Sequence, residues 1–221
     1  MIKLVIFDLD GTLVNTIDDL ATSTNYAISK LGFPKHELKE YPFFVGNGIG
    51  KLIERALPQD NRDETTINKA KSIFLKYYQE HKTDFSRPYK GIPELLVSLQ
   101  KNKINIAVAS NKYQQGCREI VTELFPNIKF CSVLGQREGI KTKPDTTIIN
   151  DTFKNCPVPK NEVIYIGDSG VDMQTATNAD IFPIGVSWGF RSVSELIKNG
   201  AKKIVNTPEE ILKEIEYKNQ L

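Results

Sequence analysis

The chain has 221 residues, 29 basic and 27 acidic, for a net charge of +2. No overall field therefore marks nucleic acid or an anionic membrane as its partner. With 40% hydrophobic and 25% charged residues, it can bury one large α/β core or a core carrying an insertion. No apolar run approaches the length of a membrane span or of a signal peptide, which makes a soluble, cytoplasmic protein the expectation. Cys117, Cys131 and Cys156 are odd in number and lack metal-ligand spacing, which predicts reduced, small core residues in a reducing compartment.

The first element is the run Leu4-Val5-Ile6-Phe7. It is continuously apolar rather than alternating, as expected of a strand buried on both faces of a parallel sheet. It ends in Asp8-Leu9-Asp10-Gly11-Thr12. In open α/β sheets ligands bind beyond the carboxyl ends of the strands, so both carboxylates lie where chemistry is expected. Two residues apart, they can be aimed into one volume, and their repulsion must be relieved by a proton or a cation. A hard divalent ion such as Mg2+ takes carboxylate oxygens and shares them with substrate phosphate. A carboxylate can also attack phosphorus, while a second one protonates the leaving oxygen and then activates water. The plainer reading is an Asp-Gly turn after a buried strand.

From Asn15 the period changes. Ile17, Leu20, Ala21, Thr24, Ala27, Ile28 and Leu31 share one face at helical spacing, with Gly32 as a stop and Thr16 with Asp19 as a capping box. A second helical pattern runs through Ile67, Ala70, Phe74, Tyr77, Tyr78 and His81, with no convincing strand between, so residues 15–86 read as a helical insertion. Within it, Val45-Gly46-Asn47-Gly48-Ile49-Gly50-Lys51 fails the nucleotide phosphate loop, because Val45 and Leu52 stand where Gly and Ser or Thr are needed. It also fails the dinucleotide pattern, having no preceding strand. What remains is a glycine-rich turn ahead of a helix through Leu52, Ile53 and Ala56. Its backbone donors at Gly46, Asn47 and Gly48 either meet substrate or merely open the helix.

Beyond residue 87, apolar runs at 104–109, 130–134, 163–166 and 181–186 alternate with helical stretches beginning near Ile92, Tyr113, Pro144, Val171 and Val193. That is the signature of repeated βαβ units. A terminal helix is expected from Pro208 to Leu221. Ser110-Asn111 follows directly on a predicted strand and offers a hydroxyl and backbone donors to a phosphate oxygen. Lys112 beside them would meet substrate or be a solvated helix-entry charge. Lys143 precedes a predicted helix opened by Pro144 and could neutralise nucleophile and phosphate, with Lys141 as competitor. Asp168 at a strand end and Asp172 in the next helix's first turn could face one cation. Helix capping by Ser169 or Asp172 is the alternative there.

Asp8-Leu9-Asp10-Gly11-Thr12, Ser110-Asn111, Lys143-Pro144 and Gly167-Asp168-Ser169 with Asp172, in that order, resemble the four motifs of the haloacid dehalogenase superfamily over nearly the whole chain. Val45-Gly46-Asn47-Gly48 followed by Glu54-Arg55-Ala56-Leu57 resembles the phosphoglycolate phosphatases of that superfamily. The resemblance implies a Rossmann-like α/β parallel core of residues 1–14 and 87–221, with a small all-helical cap of residues 15–86 inserted after the first strand. It implies Asp8 as nucleophile, forming an aspartyl phosphate, and Asp10 as general acid and base. Ser110 and the Asn111 backbone would hold phosphate oxygens, and Lys143 would balance charge around Asp8. Mg2+ would be held by Asp8, Asp168 and the Asp10 carbonyl, with Asp172 in support, and Gly46, Asn47 and Gly48 would form a substrate loop. Asn15-Thr16 departs from the Asp-Ser of many relatives at the cap hinge, and Asp145 stands where a second Pro is frequent.

The resulting expectation is a Mg2+-dependent phosphatase for a small phosphorylated metabolite, with 2-phosphoglycolate leading. Sugar phosphates, nucleoside monophosphates and pyrophosphate remain open as substrates. A phosphomutase is the enzymatic rival and a phosphoacceptor signalling module of receiver type the non-enzymatic one. No nucleic-acid or membrane partner is expected, and the chain would act as a monomer or homodimer.

Overall fold

A computed structural model describes residues 1–220. The strands are β1 (Leu4–Phe7), β2 (Val14–Asn15), β3 (Arg87–Pro88), β4 (Asn105–Tyr113), β5 (Ser132–Gln136), β6 (Val163–Gly167), β7 (Phe182–Val186) and β8 (Lys203–Val205). The helices are α1 (Ile17–Lys30), α2 (Tyr41–Phe44), α3 (Gly48–Ala56), α4 (Glu64–His81), α5 (Ile92–Lys101), α6 (Gln114–Leu124), α7 (Thr147–Asn155), α8 (Gly170–Asn178), α9 (Val193–Lys198) and α10 (Pro208–Gln220). None of them is long and apolar enough to cross a membrane.

Six strands form one sheet in the order β5-β4-β1-β6-β7-β8, and every adjacent pair is parallel. β1 lies inside the sheet between β4 and β6, which is why its four residues are all apolar and fully buried. One sheet face packs Val5, Phe7, Ile106, Val108, Ile164 and Ile166 against α5, α6 and α10. The other packs Leu4, Ile6, Ala107, Val163 and Tyr165 against α7 and α8. The chain order reverses direction at β1, between β4 and β6, so the carboxyl ends of these strands open the crevice expected of a doubly wound sheet.

Between β2 and β3 the chain is helical, with its own apolar cluster from α1, α2, α3 and α4, including Ile28, Tyr41, Ile53 and Phe74. Both crossings into this unit run side by side, because β2 and β3 pair antiparallel with Val14 opposite Pro88 and Asn15 opposite Arg87.

Several local expectations are corrected. Thr16 and Asp19 form no capping box: Thr16 Oγ1 donates to Asp10 at 2.8 Å, and Asp19 accepts from the Phe85 and Ser86 backbones and the Ser86 hydroxyl. Asp19 thus ties the two crossings together, while Thr16 holds the Asp10 carboxylate within the first. Pro144 does not open α7, which starts at Thr147 after an Asp145 turn in which Asp145 accepts from Thr147 N. The strand expected to end at Ala109 continues to Tyr113, with its pairing to β5 shifted between those residues. β8 lies beyond the strands foreseen, since Lys203-Ile204-Val205 is too short to carry a periodicity signal.

Cys131 and Cys156 are also not free thiols. They form a disulfide with Cα atoms 6.0 Å apart, whereas Cys117 is a buried thiol. A separation of 25 residues hides a contact made only when α7 packs beside β5, and the pairing removes the cysteine argument for a reducing compartment.

Candidate active site

The ends of β1, β4 and β6 bring the sequence-marked side chains into one volume. Asp8, Asp168 and Asp172 each offer a carboxylate oxygen within 4.8 Å of the others, and all three residues are buried. Asp8 sits one residue past β1 and accepts from Leu9 N at 2.7 Å, with Lys143 Nζ 3.1 Å away. Lys143 Nζ also donates to Asp172 Oδ1 at 2.7 Å and lies 3.0 Å from the Ala109 carbonyl and the Tyr165 hydroxyl. Lys141, the competitor, is 83% exposed. The two lysines are thus separated by burial.

Asp172 takes the capping alternative and adds a pairing with Lys143. With Ser169 it forms the capping box of α8, accepting from Ser169 N and Oγ, and its other oxygen faces Lys143 and Tyr165. Both its oxygens are therefore engaged, so it steadies Lys143 better than it could ligate an ion directly. Asp168 keeps a lighter hold, accepting from Thr12 Oγ1 at 3.2 Å and Phe190 N at 2.8 Å. Backbone closes around it. A Cβ on Gly11, whose φ is +85°, would lie 2.3 Å from Asp168 Oδ2, and one on Gly189 would lie 2.1 Å from Asp168 Cβ.

Electrostatics follows from this crowding. Burial pushes the Asp8 carboxyl up from 3.8 to about 6; Lys143 pulls it down, and Asp172 adds to the rise. Asp168 is driven well above the usual carboxylate range by burial first, then by Asp172 and Asp8. Burial disfavours charge on Lys143, but Asp172 and then Asp8 outweigh it and raise its affinity for a proton. One ammonium among three buried carboxylates leaves negative charge that a hard divalent cation suits, and the oxygen-only donor set fits Mg2+. The Asp10 carboxylate is not in this cluster. It pairs with Lys112 Nζ at 3.1 Å and accepts from Thr16.

Lys112 is not a solvated helix-entry charge. It is buried, held by Asp10 and by the Tyr78 hydroxyl at 2.7 Å, and its ammonium lies 4.8 Å from the centre of the Tyr78 ring. Tyr78 comes from α4, so this lysine joins the helical unit to Asp10. Asn111 makes a second junction: its amide donates to Gly46 O at 3.0 Å and its carbonyl accepts from Lys143 N at 2.8 Å. Gly46, Asn47 and Gly48 therefore lie against the strand-end residues as a turn leading into α3. Ser110, at 2% exposure, is buried and its hydrogen bonding favours the ionised form of Asp8.

A cavity of about 50 Å3 lies between the two units, floored by Asp8, Ser110 and Asp168 and roofed by Leu20, Leu52 and Phe74. Arg191 also lines it and was not marked in the sequence, where a single Arg after Trp188-Gly189-Phe190 carries no motif. The signal that finds it is spatial, since Gly189 and Phe190 pack their backbone on Asp168.

Residues 5–186 match the family described as haloacid dehalogenase-like hydrolase. The chain is 32% identical over 192 residues to a phosphoglycolate phosphatase of Pseudomonas syringae pv. tomato, covering 85% of this chain and 70% of that one. It is 28% identical to a phosphoglycolate phosphatase of Vibrio parahaemolyticus, covering 96% and 95% of the two chains. A crystal structure from Lactobacillus delbrueckii subsp. bulgaricus, proposed to be a phosphoglycolate phosphatase, superposes with a TM-score of 0.90 at 33% identity, covering 96% of this chain and 98% of that one. With strand-end carboxylates, a buried lysine and a six-stranded parallel sheet now matched by sequence and by fold, the chain belongs to the haloacid dehalogenase-like hydrolases.

Proposed function

We propose that this phosphatase hydrolyses 2-phosphoglycolate through an aspartyl phosphate on Asp8, with Mg2+ as its cofactor. The observation that carries the reading is the placement of Asp8, buried at the cavity floor with Lys143 Nζ 3.1 Å from one carboxylate oxygen. The small cavity supports a small substrate, and the relatives that bear the phosphoglycolate phosphatase name support this one.

In the first step a carboxylate oxygen of Asp8 attacks phosphorus and the bond to the leaving oxygen breaks. Asp10 gives that oxygen its proton, so the alcohol leaves neutral. In the second step Asp10 takes a proton from water, whose oxygen attacks the phosphorus and releases Asp8 and inorganic phosphate. Lys143 offsets the charge on Asp8 and on the phosphoryl group, and Asp172 and Tyr165 keep its ammonium aimed there. Ser110 and the Asn111 backbone N–H receive phosphoryl oxygens. Mg2+, held by the Asp8 and Asp168 carboxylates and the Asp10 carbonyl, would supply Lewis-acid stabilisation of those oxygens. Residues 15–86 act as a cap on the core of residues 1–14 and 87–221, with Gly46, Asn47 and Gly48 meeting the leaving group and closure excluding bulk water.

The test is phosphate release with Mg2+ and with chelator, across 2-phosphoglycolate, hexose phosphates, nucleoside monophosphates, pyrophosphate and acetyl phosphate. Metal-dependent turnover is expected, highest on 2-phosphoglycolate, with loss of about 10^4-fold in Asp8→Asn and an unchanged fold by circular dichroism. Wild-type turnover in Asp8→Asn would remove the nucleophile. A strong preference for another ester would keep the chemistry and replace the substrate.

A further inference from the structure

Two guanidinium groups converge on one carbonyl at the edge of the cavity. Arg191 Nη2 donates to Val45 O at 2.9 Å, and Arg55 Nη1 approaches the same oxygen at 3.5 Å. Arg55 is spent on this turn, since it also donates to Phe44 O and Asn47 Oδ1. Arg191 is not spent: its Nη1 is buried and has no hydrogen-bond partner among the described residues. Among the described residues its one ion pair is with Glu195, with Nε 3.6 Å from a carboxylate that is itself 39% exposed and accepts from Gly170 N. A buried guanidinium N–H without an acceptor costs free energy, and guanidinium forks suit carboxylates.

The other cation lining the cavity, Lys112, is already committed to Asp10 and Tyr78. The roof above is hydrocarbon, from Leu20, Leu52 and Phe74. Arg191 follows Phe190, whose N–H donates to Asp168, so its backbone starts one residue from the acidic cluster. In a phosphorylated hydroxy acid such as 2-phosphoglycolate, a single methylene separates the ester oxygen from the carboxylate. With phosphorus at Asp8, the second anionic group therefore stays close to the phosphoryl site.

We propose that Arg191 is the specificity-determining residue of this enzyme, its free guanidinium edge taking the carboxylate of a phosphorylated small acid. This rests on the phosphatase reading above and deepens it by assigning the group that selects the leaving acid. Carboxylate binding would give Nη1 its missing acceptor without releasing Val45.

The experiment measures kcat and KM for wild type, Arg191→Met and Arg191→Lys on 2-phosphoglycolate, on 3-phosphoglycerate and on ethyl phosphate, which lacks the carboxylate. Wild type is expected to prefer a carboxylate ester. In Arg191→Met, kcat/KM on that ester should fall about 100-fold, chiefly through KM, and at least tenfold more than on ethyl phosphate. Arg191→Lys should recover part of the difference, because it restores charge without the fork. Wild-type preference for 3-phosphoglycerate, lost in Arg191→Met, would support the role of Arg191 while removing the 2-phosphoglycolate assignment. Equal losses on charged and neutral esters in both variants would mean that Arg191 only holds Val45, and would overturn the proposal with the substrate assignment intact. A preference for 2-phosphoglycolate that persists in Arg191→Met, or no wild-type preference for carboxylate esters, would overturn it as well.

Discussion

Below the cavity, Asp8, Lys143, Asp168 and Asp172 are buried and each has at least two polar contacts. Above it, the helical unit presents Leu20, Leu52 and Phe74. The lower layer is fixed by Asp8 and Asp168 just past the ends of adjacent parallel strands and by Lys143 and Asp172 paired behind them, where a side chain cannot shift without unpairing a charge. The upper layer is held by its own apolar cluster and reaches the site through few polar links, chiefly Tyr78 to Lys112 and Gly46 to Asn111. The cavity thus has a polar floor in which every charge has polar partners and a hydrocarbon roof tied to it at a few points.

The comparison can be broken most forcefully at Asp10. Asp10→Asn should lower kcat roughly 10^2- to 10^4-fold with little change in KM, and a raised KM with kcat unchanged would place Asp10 in binding rather than proton transfer. Lys143→Met should cost both activity and fold. Removing the ammonium leaves Asp172 and Asp8 without their buried countercharge, at about 3–5 kcal/mol of stability, measurable by urea unfolding. A loss under 1 kcal/mol would show that the lower layer is not held by this pair. Tyr78→Phe tests the link between layers. Losing one hydroxyl to Lys112 should reduce kcat/KM about tenfold while the unfolding midpoint moves by only a few degrees. No kinetic change would leave that link without function.

The smallest effect concerns metal and pH. Because the folded Asp8 carboxyl titrates near 6, above its usual 3.8, the stability it contributes is complete below about pH 4 and is lost as pH rises through 6. Metal-free protein should therefore lose a few degrees in Tm over that window, and Asp8→Asn should lose less. Mg2+ should raise Tm more at pH 8 than at pH 5, since ionised carboxylates bind it. An equal shift at both values would separate metal binding from this cluster.

Much of the lower layer was legible because strand-end chemistry is local. Leu4–Phe7 followed by Asp8, and Val163–Gly167 followed by Asp168, announce buried parallel strands ending in carboxylates. What the chain could not announce are contacts made by packing. Lys112 resembles any charge at a helix entry until Tyr78 descends on it from α4. Thr16 and Asp19 have capping-box spacing, yet the crossings use their oxygens first. Cys131 and Cys156 meet only through the α7 and β5 contact, and Arg191 gains its place only because Gly189 and Phe190 wrap Asp168. Apart from the short reach of Thr16 to Asp10, these contacts join partners far apart in the chain, where periodicity carries no information.

The pairing of Val14–Asn15 with Arg87–Pro88 places both ends of the helical unit next to each other. Joining neighbouring ends needs only a short loop, and loop closure grows slowly with length. The whole roof can then be shortened, enlarged or exchanged as a cassette without re-registering any strand beneath it. On this scaffold, recombination at a single doorway can change what covers the cavity while the strand-end carboxylates stay where the sheet puts them.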